Sequence, residues 1–504
     1  MDQFLTNIAK YNDVVNTFIW TTLGLVLLLG TGLLTTVMTK FFQLTRIKLW
    51  WKNTIGSMFS KEVISHNKDG KAISPFQALC TALAATIGVG NIAGVAAAIC
   101  IGGPGAVFWM WVAAFFGMMT NYAENVLGIF YRRRNEKGEW SGGAMYYLQD
   151  GLGSKKGCRT IGKVLSVLFS VFTLLASFGI GAMGQVNKIV VNIESAFPIH
   201  ALTNIQLYEG VTLYSLIIGL ALVALAAAIT MGGLKRVASF AEKVVPFMVV
   251  LFIAGGLVIV AVNYSAILPA IGAIFKTAFA PAAAAGGLAG AAIRTVIVQG
   301  FKRGVFSNEA GLGSSVMVHS NSNVKEPVKQ GMWGIFEVFA DTMIVCTLTA
   351  LVVLTSGLYD LNTGVLAEGV SDATLVASAF NSVFGFADIG SKFVAIAILL
   401  FAFTTVLGWN HYGTKAWEYL FSVKSTIVYT VMHLVMILCG ALMTSSLAWD
   451  ISDTFNGMMM IPNLIGVIAL SGLVCRITKN YLDRTVRHLD VEPLISAFQD
   501  EDNE

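Results

Sequence analysis

The chain has 504 residues, enough for three ordinary soluble domains, yet 56% are hydrophobic, only 12% are charged and the mean hydropathy is +0.71. Such a composition excludes a water-facing surface over most of the molecule and leaves a polytopic membrane protein, since eleven spans of about 20 residues would occupy roughly 220 positions. The net charge of +4 is too small to call for a nucleic-acid partner, and the six cysteines, without C-x-x-C spacing, indicate neither a disulfide framework nor a metal centre.

The first apolar run, 17–38, has no basic stretch before it and no small-residue cleavage site after it, so it reads as a retained helix. The connection that follows, 41–60, mixes Phe, Leu, Ile and two Trp with Arg46, Lys48 and Lys52, the pattern of an amphipathic helix on the inner leaflet. Further runs cover 76–101, 104–131, 162–187, 211–230, 239–262, 286–318, 331–357, 388–412, 425–446 and 456–475, which makes eleven. The tail after Arg476 is polar and ends in acidic residues, as a solvated end does.

Lys and Arg set the orientation. The connections after the first, third, fifth, seventh and ninth runs, with the tail, hold 24 of the 33 basic residues, and 28 when Lys163, Lys243, Lys302 and Arg303 of the adjoining runs are grouped with them. Short cytoplasmic loops retain such residues, so the N-terminus is expected outside and the C-terminus in the cytoplasm, in the plasma (inner) membrane.

Setting the first run aside leaves ten, which divide into two sets of five crossing in opposite senses. The expected fold is therefore all-α and polytopic, with about 11 transmembrane helices: one extra N-terminal helix plus a 5+5 inverted repeat whose first helix is broken in each half. The expected units are 1–75 (first helix and amphipathic connection), 76–265 and 266–476 (the two repeats) and 477–504 (the cytoplasmic tail). The breaks are visible as polar and glycine interruptions. One is Thr86-Ile87-Gly88-Val89-Gly90-Asn91-Ile92-Ala93-Gly94, and the other runs from Gln299 to Ser314. Unwound backbone inside a bilayer survives only where it lines a cavity or holds a polar ligand. Freed carbonyls suit a cation and a half-helix N-terminus suits a carboxylate. Packing of small residues is the alternative account of Gly88, Gly90 and Gly94.

Thr81 to Gly94 followed by Gly102-Gly103-Pro104-Gly105-Ala106, Gly142 to Tyr147, Phe306 to Ser314, and Phe401-Ala402-Phe403-Thr404-Thr405 together resemble the alanine or glycine:cation symporter family. Ala144 departs from the Pro expected there. The resemblance implies the leucine-transporter fold and Na⁺-coupled uptake (H⁺ in some members) of alanine, glycine or another small neutral amino acid, with no organic cofactor. It also implies an ion held by the carbonyls of Ala84, Ile87 and Phe401 and the hydroxyls of Thr404 and Thr405, with a second ion against Thr86 and Asn91. Those threonines have an alternative partner in their own helix.

Candidates for holding the amino acid are Thr86, Gly88, Gly90, Asn91, Gln185, Phe306 and Trp409, because a small pocket needs few polar contacts and a bulky wall. Gln185 equally suits an interhelical hydrogen bond, and the two aromatics equally suit packing. Ionisable residues at membrane depth mark gates or relays. Glu124, Arg303, Glu309 and Asp341 are those candidates, and a pairing of Lys302 and Arg303 with Glu309 or Glu124 would form an inner latch. Asp341 lies four residues past Glu337, a spacing that suits a water-lined groove or proton relay. His319 and His411 are expected at the surface of cytoplasmic helix ends. A channel is disfavoured because no selectivity-filter run or ring of like charges is present, and an intramembrane enzyme because no H-E-x-x-H or G-x-S-x-G motif is.

Overall fold

A computed structural model describes residues 2–58, 72–208, 210–279, 289–444 and 447–498. The acidic end of the tail, the start of the seventh predicted run and part of the first connection lie outside the described residues. Among the described residues nine helices are long and apolar enough to cross a membrane, and a tenth span results if one bent pair is counted as a single crossing. In chain order the bundle helices are α1 (Thr6–Met38), α2 (Pro75–Thr86), α3 (Gly90–Gly102), α4 (Gly105–Phe130), α5 (Arg159–Ala196), α6 (Leu213–Thr230) and α7 (Gly233–Val262). There follow α8 (Ile267–Phe279), α9 (Ala289–Asn308), α10 (Val316–His319), α11 (Pro327–Thr355), α12 (Leu375–Phe384), α13 (Ile389–Leu420), α14 (Val423–Ala441) and α15 (Leu447–Thr485). Every predicted run falls on one of these. The twenty residues of α9 carry Arg294, Lys302 and Arg303, which keep it below the hydropathy of the others.

The burial pattern follows from two solvents. Helices α6, α7 and α14 expose Leu220, Leu225, Phe247, Val250, Val431 and Val435, apolar side chains that suit hydrocarbon. By contrast α2 is buried almost throughout, and α4 and α11 bury Tyr122, Glu124, Asn125, Glu337 and Asp341. α2 starts at a capping box: the hydroxyl of Ser74 accepts from the Gln77 amide at 3.1 Å and the Gln77 side chain accepts from the Ser74 amide at 3.1 Å, with Pro75 at the first helical position.

The basic connections meet at one end of the bundle. Arg132 donates to the carbonyls of Ser320, Ser322 and Val324, Arg484 pairs with Glu326 at 2.7 Å, and Lys415 donates to the Trp140 carbonyl at 3.2 Å. At the opposite end Asn187 donates to the Met443 carbonyl at 2.8 Å. Lys302 departs from the expected grouping. It lies at this opposite end, 2.7 Å from Asp453 near the start of α15 and 3.1 Å from Asn16 of α1, so the expected latch with Glu309 or Glu124 is not formed. A charge on the inward face of a helix seeks the nearest carboxylate, and α15 supplies one.

The amphipathic connection forms three short helices, Phe42–Thr45, Ile47–Asn53 and Ile55–Met58. Its apolar residues serve two masters: Phe42 and Trp50 are buried against Tyr122 and Phe339, while Phe41, Leu44, Ile47 and Trp51 face outward. His319 and His411 are both buried rather than at the surface, and His319 Nε2 lies 2.9 Å from Glu337 Oε2.

Candidate functional site: two interrupted helices around a small cavity

α2 and α3 meet at a 55° bend between Thr86 and Gly90. The amide that a continuing helix would turn toward the Ala84 carbonyl belongs to Gly88, and it donates instead to Asn91 Oδ1 at 2.9 Å. The next amide, of Val89, points to Gln185 Oε1 at 3.5 Å. Two side chains thus take the place of helical carbonyls, and the carbonyls of Ala84 and Ala85 lose their regular partners.

The second interruption occupies only the end of the Gln299–Ser314 stretch expected. α9 remains helical to Asn308, and only the residues between it and Val316 are irregular. Glu309, Gly311 and Gly313 have φ of 55°, 95° and 73°, a left-handed path that glycine takes freely and glutamate rarely. The Glu309 carboxylate accepts from the Ser314 hydroxyl at 2.5 Å. Asn463 of α15 donates to the Gly311 carbonyl at 2.9 Å and to Glu124, and accepts from the Tyr147 hydroxyl. Glu124 therefore fastens the second break and is not paired with Lys302 or Arg303.

A small cavity lies where the two interruptions face each other. Thr86, Gly88, Gly90, Gln185, Phe306 and Trp409 all line it. Six of the seven predicted amino-acid contacts are thus brought together. The exception is Asn91, which turns behind the bend: its Nδ2 donates to Asp341 Oδ1 at 2.6 Å. Gln185 bridges as well as lines, because its Nε2 donates to the Ile180 carbonyl at 3.2 Å. Trp409 reaches the cavity because Gly181 has no side chain; a Cβ there would sit 2.5 Å from that of Trp409. Phe306 lies across Gly90, where a Cβ would meet the ring at 3.1 Å, while Phe301 turns away toward Trp109.

The cavity has about 20 Å³ for the centres of water molecules, on the scale of one or two waters. On the far side of Phe306 and Gly90 a vestibule of about 380 Å³ opens, lined by Asn187, Lys188, Arg303, Asp372 and Thr444. Phe306 and Gly90 are common to both spaces, so they form the partition between them. Arg303, a predicted gate residue, borders the vestibule.

Thr404 and Thr405 stand on the part of α13 that faces the bend. Thr405 Oγ1 is the atom a Cβ on Gly88 would meet first, at 2.6 Å. Both hydroxyls donate back to the Phe401 carbonyl at 2.9 Å, and Thr404 also reaches Leu400 at 3.0 Å.

Asp341 forms a second polar cluster, fully buried. Its Oδ2 accepts from Ser307 at 2.7 Å and from Thr342 at 2.8 Å, so all its hydrogen-bonding partners are neutral. It shares no groove with Glu337: one residue serves the breaks and the other serves His319 and, at 3.4 Å, Asn121.

Sequence reasoning missed three wall residues. Ala85 and Ile180 add apolar faces and Asn456 of α15 is buried there with Oδ1 lacking a partner, while Glu309, expected at a gate, also stands in the wall. A polar residue near the start of the eleventh run was the one available signal for Asn456. Ser307 was visible only as one polar residue within a longer irregular stretch.

The model of the sodium:alanine symporter family matches residues 5–493. The chain belongs to the sodium:alanine symporter family. Among its relatives is the sodium/alanine symporter AgcS of Methanococcus maripaludis, 42% identical over 93% of this chain and 96% of the relative. The probable sodium/glutamine symporter GlnT of Bacillus subtilis is 35% identical over 95% and 91%. Among solved structures, that of MhsT in complex with L-phenylalanine covers 81% of this chain and 98% of its own with a TM-score of 0.53 at 13% identity, a likeness of fold. The family comprises secondary amino-acid symporters on the leucine-transporter fold and not enzymes, and this chain is a multi-pass member of it.

Proposed function

We propose that the chain carries alanine or glycine into the cell together with Na⁺ by alternating access across the plasma membrane. The N-terminus lies outside, the C-terminus is cytoplasmic, α9 counts as the eleventh crossing, and the two five-span halves form an inverted repeat. The observation that carries this reading is the small cavity at the facing breaks, whose wall unites Thr86, Gly88, Gly90, Gln185, Phe306 and Trp409. Such a space, contracted to the size of a water or two, opens enough for a small side chain when Phe306 withdraws. The bulk of Trp409 and Phe306 opposes a long one.

In this reading the amino acid's carboxylate takes over the amides of Gly88 and Val89 from Asn91 Oδ1 and Gln185 Oε1, and its ammonium meets Asn456 Oδ1 and the Glu309 carboxylate. One Na⁺ sits among the carbonyls of Ala84, Ile87 and Phe401 and the hydroxyls of Thr404 and Thr405. Oxygen donors suit a hard monovalent ion. The back-bonds of both threonines to Phe401 keep their lone pairs available for it, since a hydroxyl donates once and accepts twice. Asp341, bonded to Asn91, Ser307 and Thr342, is the second cation position, because a buried carboxylate with only neutral partners gains from a positive charge.

The same carboxylate supports a second reading, in which a proton on Asp341 replaces one Na⁺. Uptake of labelled alanine into proteoliposomes separates the two. Accumulation driven by an inward Na⁺ gradient and unaffected by an added proton gradient supports the first reading; accumulation that an inward proton gradient raises further supports the second. Saturation with substrate excludes a channel.

A further inference from the structure

At the end of the bundle where the basic connections gather, away from the breaks, lies a cavity of about 630 Å³. It opens between the end of α1, the short helix Phe42–Thr45 and the last turns of α15. Its wall is divided by chemistry. Met38, Phe42 and Leu482 make an apolar side, and Lys40, Arg46, Lys479 and Arg487 make a cationic one. Those four cations face one carboxylate, Asp483, and that is already committed to Arg487 at 2.7 Å. Among the described residues Lys40, Arg46 and Lys479 have no counter-ion. Like charges gathered in one pocket repel, and an anion relieves them.

The backbone builds this arrangement at a conformational cost. Lys40 and Phe41 both lie in the left-handed region, with φ of 59° and 55°. Glycine is the usual residue where a helix ends that way. The amides of Lys40 and Phe41 close the helix end on the carbonyls of Val37 and Thr36, at 3.0 and 2.7 Å. The turn sends Lys40 to the cavity and leaves Phe41 outward. Leu33, Val37 and Phe41, spaced by four, are all exposed, so an apolar strip climbs the membrane-facing side of α1 toward the pocket.

We propose that this cavity seats the headgroup of an anionic phospholipid. The phosphate lies among Lys40, Arg46 and Lys479, and the acyl chains run down Leu33, Val37 and Phe41. Basic pockets between spanning helices at a headgroup level recognise lipids in this way. A free phosphate would use the cations alone; the apolar wall and the strip below it favour a molecule with both parts. Because the cations come from α1 on one side and α15 on the other, the bound lipid ties the additional N-terminal helix to the bundle.

The test uses the full chain purified in an uncharged detergent and titrated with fluorescent phosphatidylglycerol. Parallel titrations use fluorescent phosphatidylcholine, and inorganic phosphate is added as competitor. Saturable binding of phosphatidylglycerol at least tenfold tighter than phosphatidylcholine is expected, weakened at least tenfold in the combined Lys40→Gln, Arg46→Gln, Lys479→Gln variant. Equal binding of the two lipids, or unaltered binding in the variant, overturns the proposal. Displacement by millimolar inorganic phosphate as effective as by unlabelled phosphatidylglycerol overturns it in favour of a soluble-anion site. Should the combined variant fail to fold, Asp483→Asn decides: it frees Arg487 and is expected to tighten phosphatidylglycerol binding two- to threefold, and unchanged or weaker binding counts against the site.

Discussion

In the first break the chain leaves its helix only between Thr86 and Gly90, and the bared amides are taken by Asn91 and Gln185. In the second it stays irregular from Glu309 to Ser315, through three left-handed residues, and is fastened by Asn463, Glu124 and Ser314. The short break holds its polar groups against the cavity with side chains that have further capacity to bond. The long one consumes its polar groups in a network of its own. The cavity thus has an adaptable wall and a fixed one, and Asp341 links them by accepting from Asn91 of the first break and from Ser307 in the last turn of α9, just before the second.

The largest effect is expected where the walls meet. Asp341→Asn keeps the volume but removes the charge and leaves donor facing donor, and uptake should fall about 100-fold, or about 2.7 kcal/mol. Near-normal uptake would mean that the breaks act separately. On the fixed wall, Gly313→Ala places a Cβ 2.7 Å from the Asn463 amide in a left-handed conformation. Thermal unfolding should report a loss of about 1–2 kcal/mol, while uptake per folded molecule stays close to normal. Loss of uptake at unchanged stability would make the second break a moving part. On the adaptable wall, Gln185→Ala frees the Val89 amide and should raise the KM for alanine about tenfold, about 1.4 kcal/mol, with folding intact. Thr405→Val should give the smallest change, a rise of about fivefold in half-saturating Na⁺, near 1 kcal/mol, with alanine affinity restored at high Na⁺. A wild-type Na⁺ curve there would remove Thr405 from the ion's shell.

Much of this was legible in residue order because hydrocarbon imposes strict rules. Long apolar runs marked the spanning helices, and polar residues with glycine at Thr86 to Gly94 marked the first break, which the bend between Thr86 and Gly90 now favours over packing of small residues alone. Gln185 and Trp409 were legible as a polar contact and a bulky wall, and the fold adds that Gly181 is what admits Trp409. The second break occupies only the end of the stretch expected, because charge was read as unwinding. Lys302 and Arg303 sit on a regular helix whose cost is met by Asp453 and by a watery vestibule, partners that belong to the tertiary fold. Asn456 was overlooked for a related reason: one amide near the start of an apolar run looks like a helix boundary until the cavity beside it is known. The two histidines were taken for surface groups, and only the packing of α10 against α11 reveals the Glu337 partner that buries His319.

The central claim is that solute and ion share the first break and stabilise it jointly. Equilibrium binding of labelled alanine to the purified protein, measured across Na⁺ concentrations at constant ionic strength with choline as replacement, tests this most directly. Alanine affinity should rise with Na⁺, and Na⁺ affinity measured in the reverse titration should rise with alanine by the same factor, as linkage demands. Alanine binding that is saturable yet indifferent to Na⁺ would contradict the account.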